Sequence, residues 1–317
     1  MSAQEPTLQH EVPLKEAHTL ITTFTTFLTV SIHNILYYRH IYPSPTFLTS
    51  RAYNLPVHQN RHPKVCSWIR DAVAAVAAQL ALGTVDRVAV VIHAPLHPED
   101  NDNIAALPPG AVLERYLFDV SRFPSWPGGP DAMRDYGNSL RRRDEEDDDD
   151  RFAPAAPDEE DGEDGEASRV RRESKINWTN VGEQFRGVLR RLSHAAEKLD
   201  PVPAGCTFTV AVELRDEAAA PIGVRNPFSL ATLLSSHDGR SVLTHQDTQH
   251  PQPWIPSQPN LQKPRGVDLG GARTTPIRSV EAGPLFFECW VEEGKAKEIL
   301  RDAAATTQDN NTQSSMS

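Results

Sequence analysis

Between residues 14 and 40, LKEAHTLITTFTTFLTVSIHNILYYRH, the apolar residues Leu20, Ile21, Phe24, Phe27, Leu28, Ile32, Ile35 and Leu36 recur at three- and four-residue steps. That spacing lines one side of a helix of about seven turns, as expected of a core helix. The opposite side carries Thr19, Thr22, Thr26 and Thr29, small hydroxyls that another element can cover without burying a charge. The helix is therefore expected to be enclosed on most sides. Pro13 suits a first turn, and Pro43 drives Tyr42 into an extended conformation that closes the helix near His40. Threonines, His33 and Asn34 interrupt the apolar residues, which argues against a membrane span with its run of about 18 apolar residues.

Downstream, residues 44–57 have no period, and Phe47, Leu48, Tyr53 and Leu55 are read as pins holding an irregular stretch to the body. His62-Pro63 opens a second helix with an apolar stripe of Val65, Trp68, Ile69, Ala72, Val73, Val76 and Leu80, ended by Gly83. The β-branched run 85–92 and the alternating run 113–120 predict two strands joined as a hairpin over a long loop. A third helix spans 177–199, with Val181, Phe185, Val188, Leu192, Ala196 and Leu199 on one face and Arg186, Arg190 and Arg191 off it. Residues 206–214 alternate as a strand, and Leu285 to Val291 form another. Between them, 215–283 is a polar ribbon of Pro, Gln, Ser and His with sparse anchors, too long for an ordinary connection. It is long enough to cross the face of the domain and be fastened by the last strand. Residues after Glu293 are expected to be a polar, frayed tail.

Charge alters this picture only locally. The chain carries a net charge of −11, yet residues 144–150 and 158–166 hold fourteen acids against the single base Arg151. The rest of the chain is therefore close to neutral, and the acidity belongs to an insertion over 125–175 that cannot bury enough apolar surface to order itself. Its flanking clusters, Arg141 to Arg143 and Arg169 to Arg172, read as solvated charge, as a nuclear-import signal, or as an arginine context for phosphorylation of Ser174. No global basic field calls for direct nucleic-acid binding. Cys66, Cys206 and Cys289 form no paired motif and are expected to be reduced residues of an intracellular protein. The N-terminus shows no secretory pattern.

Catalytic chemistry is not indicated. His58 and His62 precede Pro63 without a third ligand nearby, and Pro95 separates His93 from His97. His237, Asp238 and Ser241 are triad residue types but lie adjacent in sequence, whereas triads assemble from separate elements. Phosphate-binding and zinc-protease motifs are missing from the sequence. No catalytic, cofactor or metal residues are therefore assigned, and the protein is expected not to be an enzyme. A hydrolase using the scattered histidines is the reading from another class, and stoichiometric zinc would revive it.

Four motifs in order carry a resemblance: Ile35-Leu36-Tyr37 with Ile41-Tyr42-Pro43, Tyr53-Asn54-Leu55-Pro56-Val57, Pro203-Ala204-Gly205-Cys206-Thr207-Phe208-Thr209-Val210, and Trp290-Val291-Glu292-Glu293. Together they resemble HORMA domains of the mitotic-arrest-deficient family. Within it they are most similar to the accessory, non-catalytic subunits of translesion DNA polymerase zeta. The resemblance implies an α+β fold over 14–293, with three helices on one face of an antiparallel sheet. It makes 215–293 a safety belt with its closing strand and 294–317 a disordered tail. It further implies an adaptor that traps a Pro-containing peptide of the polymerase zeta catalytic subunit, the peptide adding along the sheet. Tyr53, Trp254 and Ile255 would line the peptide channel. Thr274, Glu288 and Trp290 would face a scaffold translesion polymerase, and Arg186 would mediate a HORMA homo- or heterodimer. A role in the nucleus, with cytoplasmic presence as well, follows from the same resemblance, and neither nucleic acid nor membrane is implied as a direct partner. The alternative within the fold is a spindle-checkpoint or meiotic HORMA adaptor.

Overall fold

A computed structural model of the chain describes residues 11–96, 107–149, 176–216, 218 and 271–302, with backbone alone at 141–149 and 271–272. Helix α1 (Leu14–Tyr38) buries Leu20, Phe24, Phe27, Leu28, Ile32, Ile35 and Leu36 almost completely. It ends where His40 adopts a left-handed φ of 53° and the Ile41 amide turns back to the Leu36 carbonyl. By length and composition alone α1 could cross a membrane, but 67% of its most apolar window is buried inside the fold. The threonine side is not enclosed as expected: Thr19, Thr22 and Thr26 are exposed. Their hydroxyls donate to carbonyls one turn back, Lys15, His18 and Thr22, so the helix itself satisfies them.

The stretch read as irregular is a hairpin. β1 (Phe47–Ala52) and β2 (Leu55–Asn60) pair antiparallel, and the two-residue turn places Tyr53 and Asn54 at φ 50° and 56°. Two left-handed residues make the turn whose twist matches paired strands. His33 and Asn34, the polar interruptions in α1, hold the hairpin to the helix. Asn34 accepts the His58 amide at 2.9 Å and His33 Nδ1 accepts the Asn60 amide at 3.3 Å.

Helix α2 (Pro63–Ala81) follows, then β3 (Val85–His93) and β4 (Val112–Asp119), which pair antiparallel as read from the sequence. Helix α3 (Gly129–Asp149) corrects the start of the proposed disordered insertion. Its first turns have partners: Met133 is buried, Tyr136 meets the His18 ring edge-on at 5.4 Å, and the Trp126 indole donates to the Gly129 carbonyl. The remainder of the insertion, 150–175, lies outside the described residues. Helix α4 (Trp178–Lys198) is capped by Asn177, whose side chain accepts the Asn180 amide, and it buries the predicted face.

β5 (Thr207–Leu214), β6 (Gly271–Ala282) and β7 (Leu285–Gly294) complete a five-stranded sheet in the order β5-β3-β4-β7-β6. β6 lies in the stretch read as polar ribbon. Its Ile277, Val280 and Ala282 are buried, so the ribbon ends in a true strand. The tail assignment also needs correction: residues 295–302 form a C-terminal helix in which Ala296 and Lys297 are buried, while 303–317 lie outside the described residues.

Helices α1 and α4 pack on one face of the sheet. Phe27 stacks on Phe185 at 4.4 Å and meets Phe118 and Phe287 of the sheet at 6.1 and 5.7 Å.

Candidate functional site

The two edges of the sheet are built differently. β6, at one edge, contains Pro276, which has no amide to donate, and its register shifts between Pro276 and Arg278. Arg191 of α4 reaches its Ile277 carbonyl at 3.4 Å, and Arg278 donates to Gln184 at 2.6 Å. A proline, a bulge and capping side chains blunt an edge against further pairing.

β5, at the other edge, contains no proline, and the one register shift in its pairing, between Val85 and Arg87 of β3, lies at its far end. Among the described residues it pairs only with β3. Its helix-side residues Phe208, Val210 and Val212 are only half-buried, whereas their neighbours Val88, Val90 and Ile92 on β3 are fully buried. One more strand beside β5 would cover that row. Beside this row stands Trp68 of α2, 42% exposed, with its ring edge-on to Phe208 at 4.9 Å; Tyr42 meets Phe208 from another side at 6.4 Å. An extended peptide hydrogen-bonded to β5 would lay alternate side chains against these aromatics.

The chain leaves the sheet at β5 and rejoins it at β6, the opposite edge. With strands about 4.8 Å apart, the edges are roughly 19 Å from each other. Arg215 fastens the departure point: its amide donates to the Thr84 carbonyl, its guanidinium to the Ser121 carbonyl, and Asp86 lies 3.3 Å away. β7 then enters between β4 and β6, and both its neighbours are antiparallel.

The predicted site residues fall in several places. Tyr53 is not at the β5 edge. It occupies the hairpin turn with its ring against Phe27 at 6.4 Å and Phe185 at 5.8 Å, and burial pushes its hydroxyl pKa up to about 12. Its geometry is that of a packing residue between α1 and α4. Trp254 and Ile255 lie outside the described residues. Thr274, Glu288 and Trp290 share the sheet face turned away from the helices. Thr274 and Glu288 are exposed there, and Glu288 accepts from Ser279 at 3.0 Å. The Trp290 indole donates to Glu292 at 2.9 Å, and Arg87 stands 6.0 Å over its ring. Arg186 is half-exposed on α4, 3.4 Å from Glu183. Sequence reasoning missed Trp68 because it fits the three-residue step from Val65 and was placed in the core stripe. A large aromatic at the margin of that stripe was the available signal.

Groups of three or more potential metal ligands are absent among the described residues. Burial pushes the Cys206 thiol up to about 12 and Cys289 higher still, so neither is a ready nucleophile. His58 stacks flat on Tyr37 at 3.5 Å, a packing role.

The HORMA domain profile matches residues 21–232 of this sequence. The chain belongs to the HORMA family. Among curated relatives, the "DNA polymerase zeta processivity subunit" of Schizosaccharomyces pombe is 24% identical over 273 residues, covering 86% of this chain and 92% of that protein. The "Mitotic spindle assembly checkpoint protein MAD2B" of Homo sapiens is 24% identical over 267 residues, covering 84% and 87%. Of the solved structures, a chain in "Crystal Structure of Mitotic Checkpoint Complex" superposes with a TM-score of 0.49 at 15% identity, covering 87% of this chain and 98% of that one. The HORMA domain accounts for the mixed helices and antiparallel sheet described above.

Proposed function

We propose that this HORMA protein is a non-catalytic adaptor that holds an extended, proline-containing peptide as an added strand on β5. The residues between β5 and β6 would pass over the peptide as a strap, with Trp254 and Ile255 pressing on it. The observation that carries this reading is the β5 edge, unpaired on its outer side among the described residues, with its half-covered row of Phe208, Val210 and Val212 and the exposed Trp68 beside it. Proline side chains pack well on aromatic faces, and a strap crossing from edge to edge would retain the peptide through a slow off-rate.

The names of the relatives suggest that the peptide comes from the catalytic subunit of DNA polymerase zeta. The face bearing Thr274, Glu288 and Trp290 would bridge that subunit to a scaffold polymerase, and Arg186 would serve self-association, all in the nucleus. A second reading, a spindle-checkpoint or meiotic adaptor, is favoured by the checkpoint name that several relatives carry. Purifying the tagged full chain from its own cells, followed by mass spectrometry, separates the two. A large DNA polymerase is expected. Recovery of checkpoint or chromosome-axis proteins without a polymerase would overturn the partner. Fluorescein-labelled peptides tiled across the polymerase's proline-containing segments would then locate the bound stretch, and crosslinks from it to β3 and not to β5 would overturn the mode of capture.

A further inference from the structure

The closing strand ends in a buried set of charges. Glu114 on β4 and Glu293 on β7 are direct cross-strand partners, and both are buried, at 0% and 1% exposure. Two carboxylates so placed repel each other. Lys297, one turn into the C-terminal helix and itself buried, resolves the conflict: its ammonium is 2.9 Å from Glu293 and also bonds Glu114. Arg39, just past α1, holds Glu114 by a two-pronged pair at 2.6 and 2.9 Å and donates to the Ala196 carbonyl at the end of α4. The Tyr116 hydroxyl donates to Glu114 at 3.1 Å. Arg301 bridges Glu293, at 2.7 Å, to Asp200. Gly294 permits the approach, since a side chain there would run into the Val112 carbonyl oxygen.

The set divides along one line. Arg39, Glu114 and Asp200 belong to the body of the domain; Glu293, Lys297 and Arg301 belong to the segment that closes it. Only the pairs Lys297 with Glu114 and Arg301 with Asp200 span the line. If β7 lifted away, Glu114 would keep Arg39, and Glu293 would keep Lys297 within its own helical neighbourhood. Only Asp200 would lose its ion-pair partner, and its half-exposed carboxylate lies where water can solvate it, so the join can open and close again. While closed, it lies in a region of low dielectric, where ion pairs are strong and the loss of one partner is severe.

We infer that the Lys297 cluster is an ionic latch that holds the β6–β7 hairpin on β4 and thereby sets how long a captured peptide stays in place. The residence-time half of this inference rests on the peptide-clamp reading above; the latch itself does not. The test is hydrogen exchange read by mass spectrometry on the full-length chain without peptide, comparing Lys297→Met with the unsubstituted protein. Residues 285–294 should exchange on the order of a hundredfold faster, while 85–93 and 207–214 are unchanged. Unchanged exchange in 285–294, or a uniform rise in all segments, would overturn the latch. Should Lys297→Met fail to fold, Arg301→Gln at the solvent rim serves instead, with about a tenfold selective rise expected. Release of the labelled polymerase peptide should accelerate by the same factor as exchange. Selective loosening with unaltered release would overturn the link to residence time, whereas a wild-type protein that retains no peptide at all counts against the clamp and leaves the exchange result standing.

Discussion

Trp68 offers the sharpest separation between binding and folding. A tryptophan presents on the order of 250 Å², and 42% of this residue is exposed, leaving roughly 100 Å² for a ligand to cover. At about 25 cal/mol per Å² that area is worth about 2.5 kcal/mol on binding, or around sixtyfold in affinity at 1.4 kcal/mol per decade. The intramolecular cost of Trp68→Ala should be small, because the ring lies edge-on to Phe208 at the margin of the core. Fluorescence anisotropy with the labelled peptide should show the sixtyfold loss, while the thermal midpoint moves by no more than a few degrees. The reasoning fails if affinity is unchanged, since the β5 edge would then not be the peptide's seat. It fails equally if Trp68→Ala unfolds the domain, because the residue would then be core.

Phe24→Ala should behave in the opposite way. Phe24 is fully buried against Phe123 at 5.0 Å and Phe287 at 5.4 Å, so denaturant titration should register a loss of about 3 to 5 kcal/mol; a loss under one would remove α1 from the centre of the core. Burial lowers the pKa of His33 from 6.5 to about 4, so the folded protein keeps it neutral where the unfolded chain is protonated. The stability this contributes is full above pH 6.5 and is lost as pH falls from 6.5 towards 4, by about 3 kcal/mol; His33→Gln should flatten that part of the profile measured by urea titration. Asn54 sits at φ 56° in the hairpin turn, so Asn54→Val should cost about 1 to 2 kcal/mol in the same assay and Asn54→Gly close to nothing. Equal effects of the two changes would mean that the turn does not need its left-handed residue.

Periodicity settled the elements whose partners are local or generic. The apolar faces of α1, α2 and α4 and the alternation of β3, β4, β5 and β7 follow from the step of 3.6 or 2 residues, because any apolar face must be buried against something. Hairpin β1–β2 and strand β6 escaped that logic. Each is largely exposed or interrupted by proline, and what orders it is a specific acceptor elsewhere: Asn34 and His33 for β2, the β7 backbone for β6. The family resemblance rests on motifs in order and was legible in the chain. The edge position of β5, the exposure of Trp68, the packing of Tyr53 and the charge cluster at Lys297 were decided by tertiary structure alone. A sequence specifies which residues seek burial, but an edge left uncovered, or a carboxylate placed opposite another 179 residues away (Glu114 and Glu293), exists only once the strands have chosen their neighbours.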